Sequence, residues 1–179
     1  GKDPVQFRLG LLPKSSRDAG VIKMVAEKSG WNDFKNGTMY QGISCHKSFG
    51  TWVAQVARVS IENNKVKVHE IHCAVDCGIV VNPDSAKNLI EGGTVDGIGH
   101  SMYSQITFKD GTPEQDNFNR YRLIRHSQSP KNIEIYFVEN NIDPTGLGEP
   151  PFPPVMGALA NALYKVSGKR HYNQPFSVS

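Results

Sequence analysis

Thr51–Val75 reads TWVAQVARVSIENNKVKVHEIHCAV, and this stretch decides the fold class. Two runs rich in Val, Ile, Thr and Trp, Thr51–Ile61 and Lys65–Val75, flank the polar pair Asn63-Asn64. β-branched and aromatic residues suit a pleated, half-buried surface, and paired asparagines tolerate the left-handed backbone of a two-residue hairpin turn. The stretch therefore predicts an antiparallel hairpin. Upstream, Tyr40–Phe49 has the same strand period and predicts a third member of the sheet.

Working outward, Gly78 and the turn Asn82-Pro83-Asp84 end the strand region. Asn82 suits an N-cap, with Pro83 at the first helical position. A helix is expected from Asp84 to about Tyr103. It carries Gly92, Gly93, Gly97 and Gly99, each costing about 1 kcal/mol of helix stability against Ala, so something must pack close to that backbone. Gln105–Lys109 reads as a strand, with Asp110-Gly111 turning into a second short strand near Asn117-Phe118. Ile133–Glu139 alternates as a further strand. Residues 140–154 form a Gly/Pro-rich loop, Met156–Val166 a helix stopped at Gly168, and the last eleven residues an irregular tail. Residues 1–30 read as helical, interrupted at Pro13, with Ser15 or Ser16 capping a helix that ends at Gly30. These signals predict an α+β fold with a mixed, largely antiparallel sheet and packed helices. Residues 1–38 form an N-terminal helical segment and residues 39–179 the main domain.

The chain has 179 residues, 38% hydrophobic and 21% charged, with a formal net charge of +3. The basic residues are scattered, so no nucleic-acid stripe is declared, and no run approaches the roughly 18 apolar residues of a membrane span. Three cysteines, Cys45, Cys73 and Cys77, are too few and odd in number for a disulfide scaffold. Gly1-Lys2-Asp3-Pro4 opens directly into an amphipathic pattern rather than a signal peptide, which leaves periplasm and cytoplasm both open.

His69, His72, Cys73, Asp76 and Cys77 cluster in sequence, but adjacent strand residues face opposite ways and neither CxxC nor HxxxH spacing is present. No protein-ligated metal is expected there. The glycines of the 84–103 helix fail the dinucleotide pattern, since its third position is Met102. His46, His100, His126 and His171 stand alone and read as structural groups, and no nucleophile elbow is present.

The loop Asp143–Pro154, DPTGLGEPPFPP, is different. Pro150 forces Glu149 out of the helical region, and Pro151 stiffens the residues after it. A carboxylate is held on a rigid ridge before an apolar helix. A general base needs that fixity, and burial would increase its affinity for a proton. The residues alone weigh this reading equally with a solvated glutamate at a proline-rich helix start.

At this loop Gly148-Glu149-Pro150-Pro151 resembles the signature of the molybdenum hydroxylases, the xanthine dehydrogenase and aldehyde oxidase family. Asp76-Cys77-Gly78 with Val81-Asn82-Pro83 is similar to the family's stretch before its pterin-side helix, and Ile90-Glu91-Gly92-Gly93 with Gly97-Ile98-Gly99 to that helix. Asp3–Leu9 and His46–Thr51 resemble the large (beta) subunit of isoquinoline 1-oxidoreductase-like enzymes. The likeness runs in order across residues 40–168.

The resemblance implies the C-terminal molybdopterin-binding part of a subunit several times longer, oxidising an aldehyde or hydroxylating an N-heterocycle. It implies a molybdenum–molybdopterin cofactor, in its cytosine dinucleotide form, and electrons leaving through a small iron–sulfur subunit. Partners would be the remainder of the large subunit and a small-molecule substrate, with no nucleic acid. Glu149 takes the general-base role, and Gly92, Gly93 and Gly148 lie where backbone approaches the cofactor. Relatives carry Gln where this chain has Leu89, which offers no hydrogen bond. Either the register differs locally, or Asn88 substitutes, or cofactor contact is weakened. A lone chain of this length is expected not to hold the cofactor. A non-catalytic scaffold that keeps the fold is the rival reading.

Overall fold

The two halves of the quoted stretch pair as expected. In the computed structural model, which describes residues 1–177, β2 (Thr51–Glu62) and β3 (Lys65–Asp76) form an antiparallel hairpin. Asn63 (φ 51°) and Asn64 (φ 58°) both take the left-handed conformation of its turn. β1 (Tyr40–Ser48) pairs antiparallel with β2 on the other side, across a second tight turn at Phe49 (φ 50°) and Gly50 (φ 75°). β6 (Asn132–Phe137) then adds to β3 in parallel, giving the order β1-β2-β3-β6. The fold is α+β with a mixed, mainly antiparallel sheet.

Helices cover both faces. α1 (Pro4–Leu9) starts behind Asp3, whose carboxylate accepts from Val5 and Gln6 N–H. α2 (Arg17–Lys28), capped by Ser16, places Val21, Ile22 and Val25 on Ile43, Ala54, Val56 and Ala74. On the opposite face α4 (Phe152–Ser167) packs Val155, Ala158, Leu159, Ala162 and Leu163 against Ala57, Val59 and Ile71. α3 (Pro83–Met102), capped by Asn82, lies beside α4 and sets Ile90 against Val53, Cys73 and Val75. Burying each such aliphatic side chain contributes about 1.5–3 kcal/mol. The contact of α4 with β1 is unusually close, since a Cβ at Gly42 would fall on the Ala158 carbonyl and the Ala162 nitrogen.

Three expectations need correction. The strand expected over Gln105–Lys109 shortens to β4 (Phe108–Lys109). Its partner is β5 (Thr112–Pro113), not a strand near Asn117-Phe118, because Asp110 (φ 50°) and Gly111 (φ 79°) reverse the chain in two residues. Residues 117–121 instead form a turn in which Arg120 N–H donates to the Asn117 carbonyl. α4 begins at Phe152, ahead of the expected Met156, because Pro153 and Pro154 sit in a first turn whose N–H groups have no helical acceptor. The irregular tail follows α4, and its residues 178–179 lie outside the described residues.

Candidate active site

The site is built where the strand ends of β2 and β3 meet the 140–154 loop. Val138 N–H donates to the Val75 carbonyl at 2.8 Å, Ile79 N–H to Ile142 at 2.9 Å and Thr145 N–H to Cys77 at 3.0 Å. Gly146 N–H reaches the Phe49 carbonyl at 3.0 Å, and the Thr51 and Thr145 hydroxyls lie 2.6 Å apart. Gly78 must be glycine on two counts: its φ is 75°, and a Cβ there would strike the Asp143 carbonyl. The loop is thus pinned along its length before it reaches Glu149.

Pro150 and Pro151 are buried, and Phe152 N–H donates to the Glu149 carbonyl at 2.9 Å. That places Glu149 on a fixed backbone immediately before α4. Its side chain is exposed, so the burial expected of a general base is not supplied by this chain. The carboxylate borders a cleft of about 400 Å³ with Ser48 and Phe49 from the β1–β2 turn, Gly93 and Asp96 from α3, and Gly148 and Phe152. Ser48 Oγ is buried there without a partner, and Phe49 is 65% exposed. The His100 ring packs at a steep angle to Phe152, centroids 5.1 Å apart, with Asp96 Oδ1 3.7 Å from His100 Nε2.

The expected residues divide. Glu149, Gly148 and Gly93 come together, and a Cβ at Gly93 would lie 2.8 Å from the Gly148 carbonyl and 2.8 Å from Pro151 Cγ. Gly92, about 100° around the helix, meets nothing within 4 Å and leaves α3 backbone bare. Leu89, one turn before Gly93, is 49% exposed. Asn88 is exposed as well.

The His/Cys stretch lies elsewhere. His69 Nε2 is 2.8 Å from Ser60 Oγ, and His72 Nδ1 3.2 Å from the Tyr136 hydroxyl. Burial is the main cause pulling the His72 pKa below its ordinary value, with the Arg58 charge acting in the same direction. Cys73 is fully buried, which pushes its thiol up to about 12 and keeps it neutral. Among the described residues no three His, Cys, Asp or Glu side chains converge as metal ligands.

Sequence reasoning missed Ser48, Phe49 and Asp96, and also Gln55. Gln55 is fully buried on the inner face of β2, with Nε2 3.1 Å from Thr94 Oγ1 and 3.2 Å from the Pro151 carbonyl. The one available signal was a long uncharged polar side chain amid the Val and Ala of a central strand.

The family model described as Molybdopterin cofactor-binding domain matches residues 18–130, well over half of the chain. The chain belongs to that family. This molybdopterin cofactor-binding domain is 32% identical over 178 residues to the isoquinoline 1-oxidoreductase subunit beta of Brevundimonas diminuta, covering 97% of the chain and 23% of that protein. It is 30% identical to a membrane-bound aldehyde dehydrogenase [pyrroloquinoline-quinone] of Gluconacetobacter polyoxogenes, covering 97% and 25%. The fold superposes on quinoline 2-oxidoreductase from Pseudomonas putida 86 with a TM-score of 0.60 at 19% identity, over 72% of the chain and 17% of that protein. The domain therefore spans about a quarter of the length of the curated relatives it matches. The likeness to molybdenum hydroxylases read from the motifs holds, while the Glu149 loop lies beyond the matched 18–130 region. No helix among the described residues is long and apolar enough to cross a membrane.

Proposed function

We propose that this domain supplies the glutamate-bearing wall of the active site in a molybdenum-dependent oxidoreductase that oxidises an aldehyde or hydroxylates an N-heterocycle, with Glu149 as general base. One observation carries the reading: Glu149 stands on a loop pinned to strand ends and borders a cleft that it shares with Gly93 and Asp96 of α3, where the Gly93 backbone abuts that loop. The residues fit a molybdopterin. Gly92 and Gly148 leave backbone open to a flat polar ligand, and the buried Ser48 hydroxyl lacks a partner. No converging metal-ligand set occurs among the described residues, which suits a metal delivered with its own sulfur ligands.

When bound, the cofactor supplies the two-electron oxidant and the oxygen that enters the product. Gly93 and Gly148 hold α3 and the glutamate loop in direct contact, so the cleft keeps its width. A Glu149 carboxylate oxygen accepts the proton of the attacking hydroxyl, which makes that oxygen a competent nucleophile. Gly92 and the position of Leu89 would border the cofactor along α3. The remainder of the large subunit closes the cleft, and a small iron–sulfur subunit receives the electrons. The cytosine dinucleotide form of the cofactor belongs to the same reading.

The test is turnover of an aldehyde and of an N-heterocycle by the intact enzyme and its Glu149→Gln variant at matched molybdenum content. Gln keeps the size and hydrogen bonding of Glu but cannot take the proton, so a loss of at least about 10²–10⁴-fold is expected. Activity within a few-fold of the parent removes Glu149 from the mechanism and favours the non-catalytic scaffold.

A further inference from the structure

We infer that Gln55 is a positioning residue that sets the distance between the Glu149 loop and the glycine face of α3; this rests on the general-base reading of Glu149. Gln55 is 0% exposed and sits at the centre of the sheet, between Ser44 on β1 and Cys73 on β3. Its side chain rises into the gap enclosed by β2, α3 and the start of α4. There one amide nitrogen meets both walls of the cleft from beneath. It donates to Thr94 Oγ1 at 3.1 Å and to the Pro151 carbonyl at 3.2 Å, with Cys73 Sγ 3.3 Å away. Thr94 follows Gly93, the residue whose backbone abuts the Gly148 carbonyl. Pro151 lies two residues beyond Glu149.

The arrangement is expensive as packing alone. An amide nitrogen has two hydrogens, shared here among three acceptors, while Gln55 Oε1 is buried with no partner. A leucine or methionine would fill the same volume without that unpaired oxygen. What an apolar side chain cannot do is bond the α3 side and the glutamate-loop side at once. Gln55 never touches the cleft: it acts through Pro151 on the backbone that carries Glu149. Because Gly93 and Gly148 are already in contact, losing the Gln55 tie lets the loop slide along α3 rather than close on it. Misplacement of a reacting group by about 1 Å can cost about 10²-fold in rate.

The experiment uses the intact, cofactor-loaded enzyme and compares Gln55→Met, Thr94→Val, Glu149→Gln and the Gln55→Met/Glu149→Gln pair. For Gln55→Met, kcat should fall about 10²-fold with KM and molybdenum content nearly unchanged. The double variant should be no slower than Glu149→Gln alone, since both losses pass through one carboxylate. Hydrogen exchange of the unloaded protein should quicken in residues 146–152 and not across β1–β3. Thr94→Val removes the contact on the α3 side alone and should move the same readouts less, so it keeps the proposal testable if Gln55→Met does not fold. A Gln55→Met kcat within two-fold of the parent, an additional loss in the double variant, or faster exchange throughout the sheet overturns the proposal and leaves Glu149 in place. Full activity of Glu149→Gln overturns the base and, with it, what Gln55 positions.

Discussion

Arg17 grips Asp76 through two guanidinium nitrogens, Nε to Oδ2 at 2.8 Å and Nη2 to Oδ1 at 2.5 Å. Asn140 Nδ2 donates to the same carboxylate at 2.8 Å, and the guanidinium carbon of Arg17 lies 4.0 Å from the centre of the Trp52 ring. The first residue of α2, the last of β3 and the start of the Glu149 loop therefore share one buried carboxylate. Asp76, which reads in sequence as part of a His/Cys stretch without metal-ligand spacing and of the Asp76-Cys77-Gly78 motif, is a structural clamp for the site.

Asp76→Asn is expected to lower stability by about 2–3 kcal/mol, since it leaves Arg17 without its charged partner. Burial works to raise the Asp76 pKa, but hydrogen bonds from Arg17 and Asn140, with the Arg17 charge, outweigh it and hold the pKa below the ordinary carboxylate value. A depressed folded-state pKa gives stability that is complete above the unfolded value and lost as pH falls through the folded one. Urea titrations from neutral pH downward should show an acid-side decline in the parent that is shallower in Asp76→Asn. Parallel declines would remove Asp76 as its source.

Adjacent glycines on α3 should answer oppositely. Gly93→Val drives its side chain into the Gly148 carbonyl and Pro151, and a loss of about 1–3 kcal/mol is expected from overpacking. Gly92→Ala meets open space, so only helix propensity acts and the chain should gain about 0.5–1 kcal/mol. Thermal unfolding of the two variants measures both signs. Equal effects would contradict the close approach.

Gly42→Ala tests the seat of α4. The added methyl would land on the backbone of Ala158 and Ala162, which cannot rotate away as a side chain can. The expected cost is at the upper end of about 1–3 kcal/mol. Gly20→Ala, with nothing within 4 Å on α2, is the control and should be neutral or stabilising.

Metal analysis of this chain, expressed alone, should find molybdenum well below one per chain. The domain spans about a quarter of its curated relatives, and Leu89 presents an apolar side chain along the α3 rim. About one molybdenum per chain would show that the α3 rim and the Glu149 loop hold the cofactor unaided.

The hairpin turn at Asn63-Asn64, the Asn82 cap of α3 and the stop at Gly168 were legible because each depends on residues within a few positions. Asn82 Oδ1 accepts from Ser85 N–H at 3.0 Å, and Gly168 takes φ 70°. The Gly148-Glu149-Pro150-Pro151 ridge was legible for the same reason, since proline restricts its own backbone and that of its neighbour. Alternation along Ile133–Glu139 announced a strand, but a period of two carries no direction. That β6 runs parallel to β3 follows from the chain crossing over through α3.

The amino-acid sequence by itself determined the local conformations: which segments extend, which coil, where the chain must turn, and that a carboxylate sits on a stiff ridge. Those outcomes rest on backbone sterics, capping and short-range hydrogen bonds. Tertiary structure alone decided that Gly93 meets Gly148 while Gly92 faces open space, that Gln55 reaches Pro151, and that Arg17 finds Asp76. The last two pairings join residues 96 and 59 positions apart along the chain. A rotation of about 100° per helical residue and the stacking of helices on a sheet settle which side chains meet, and neither is written in any short stretch of the chain.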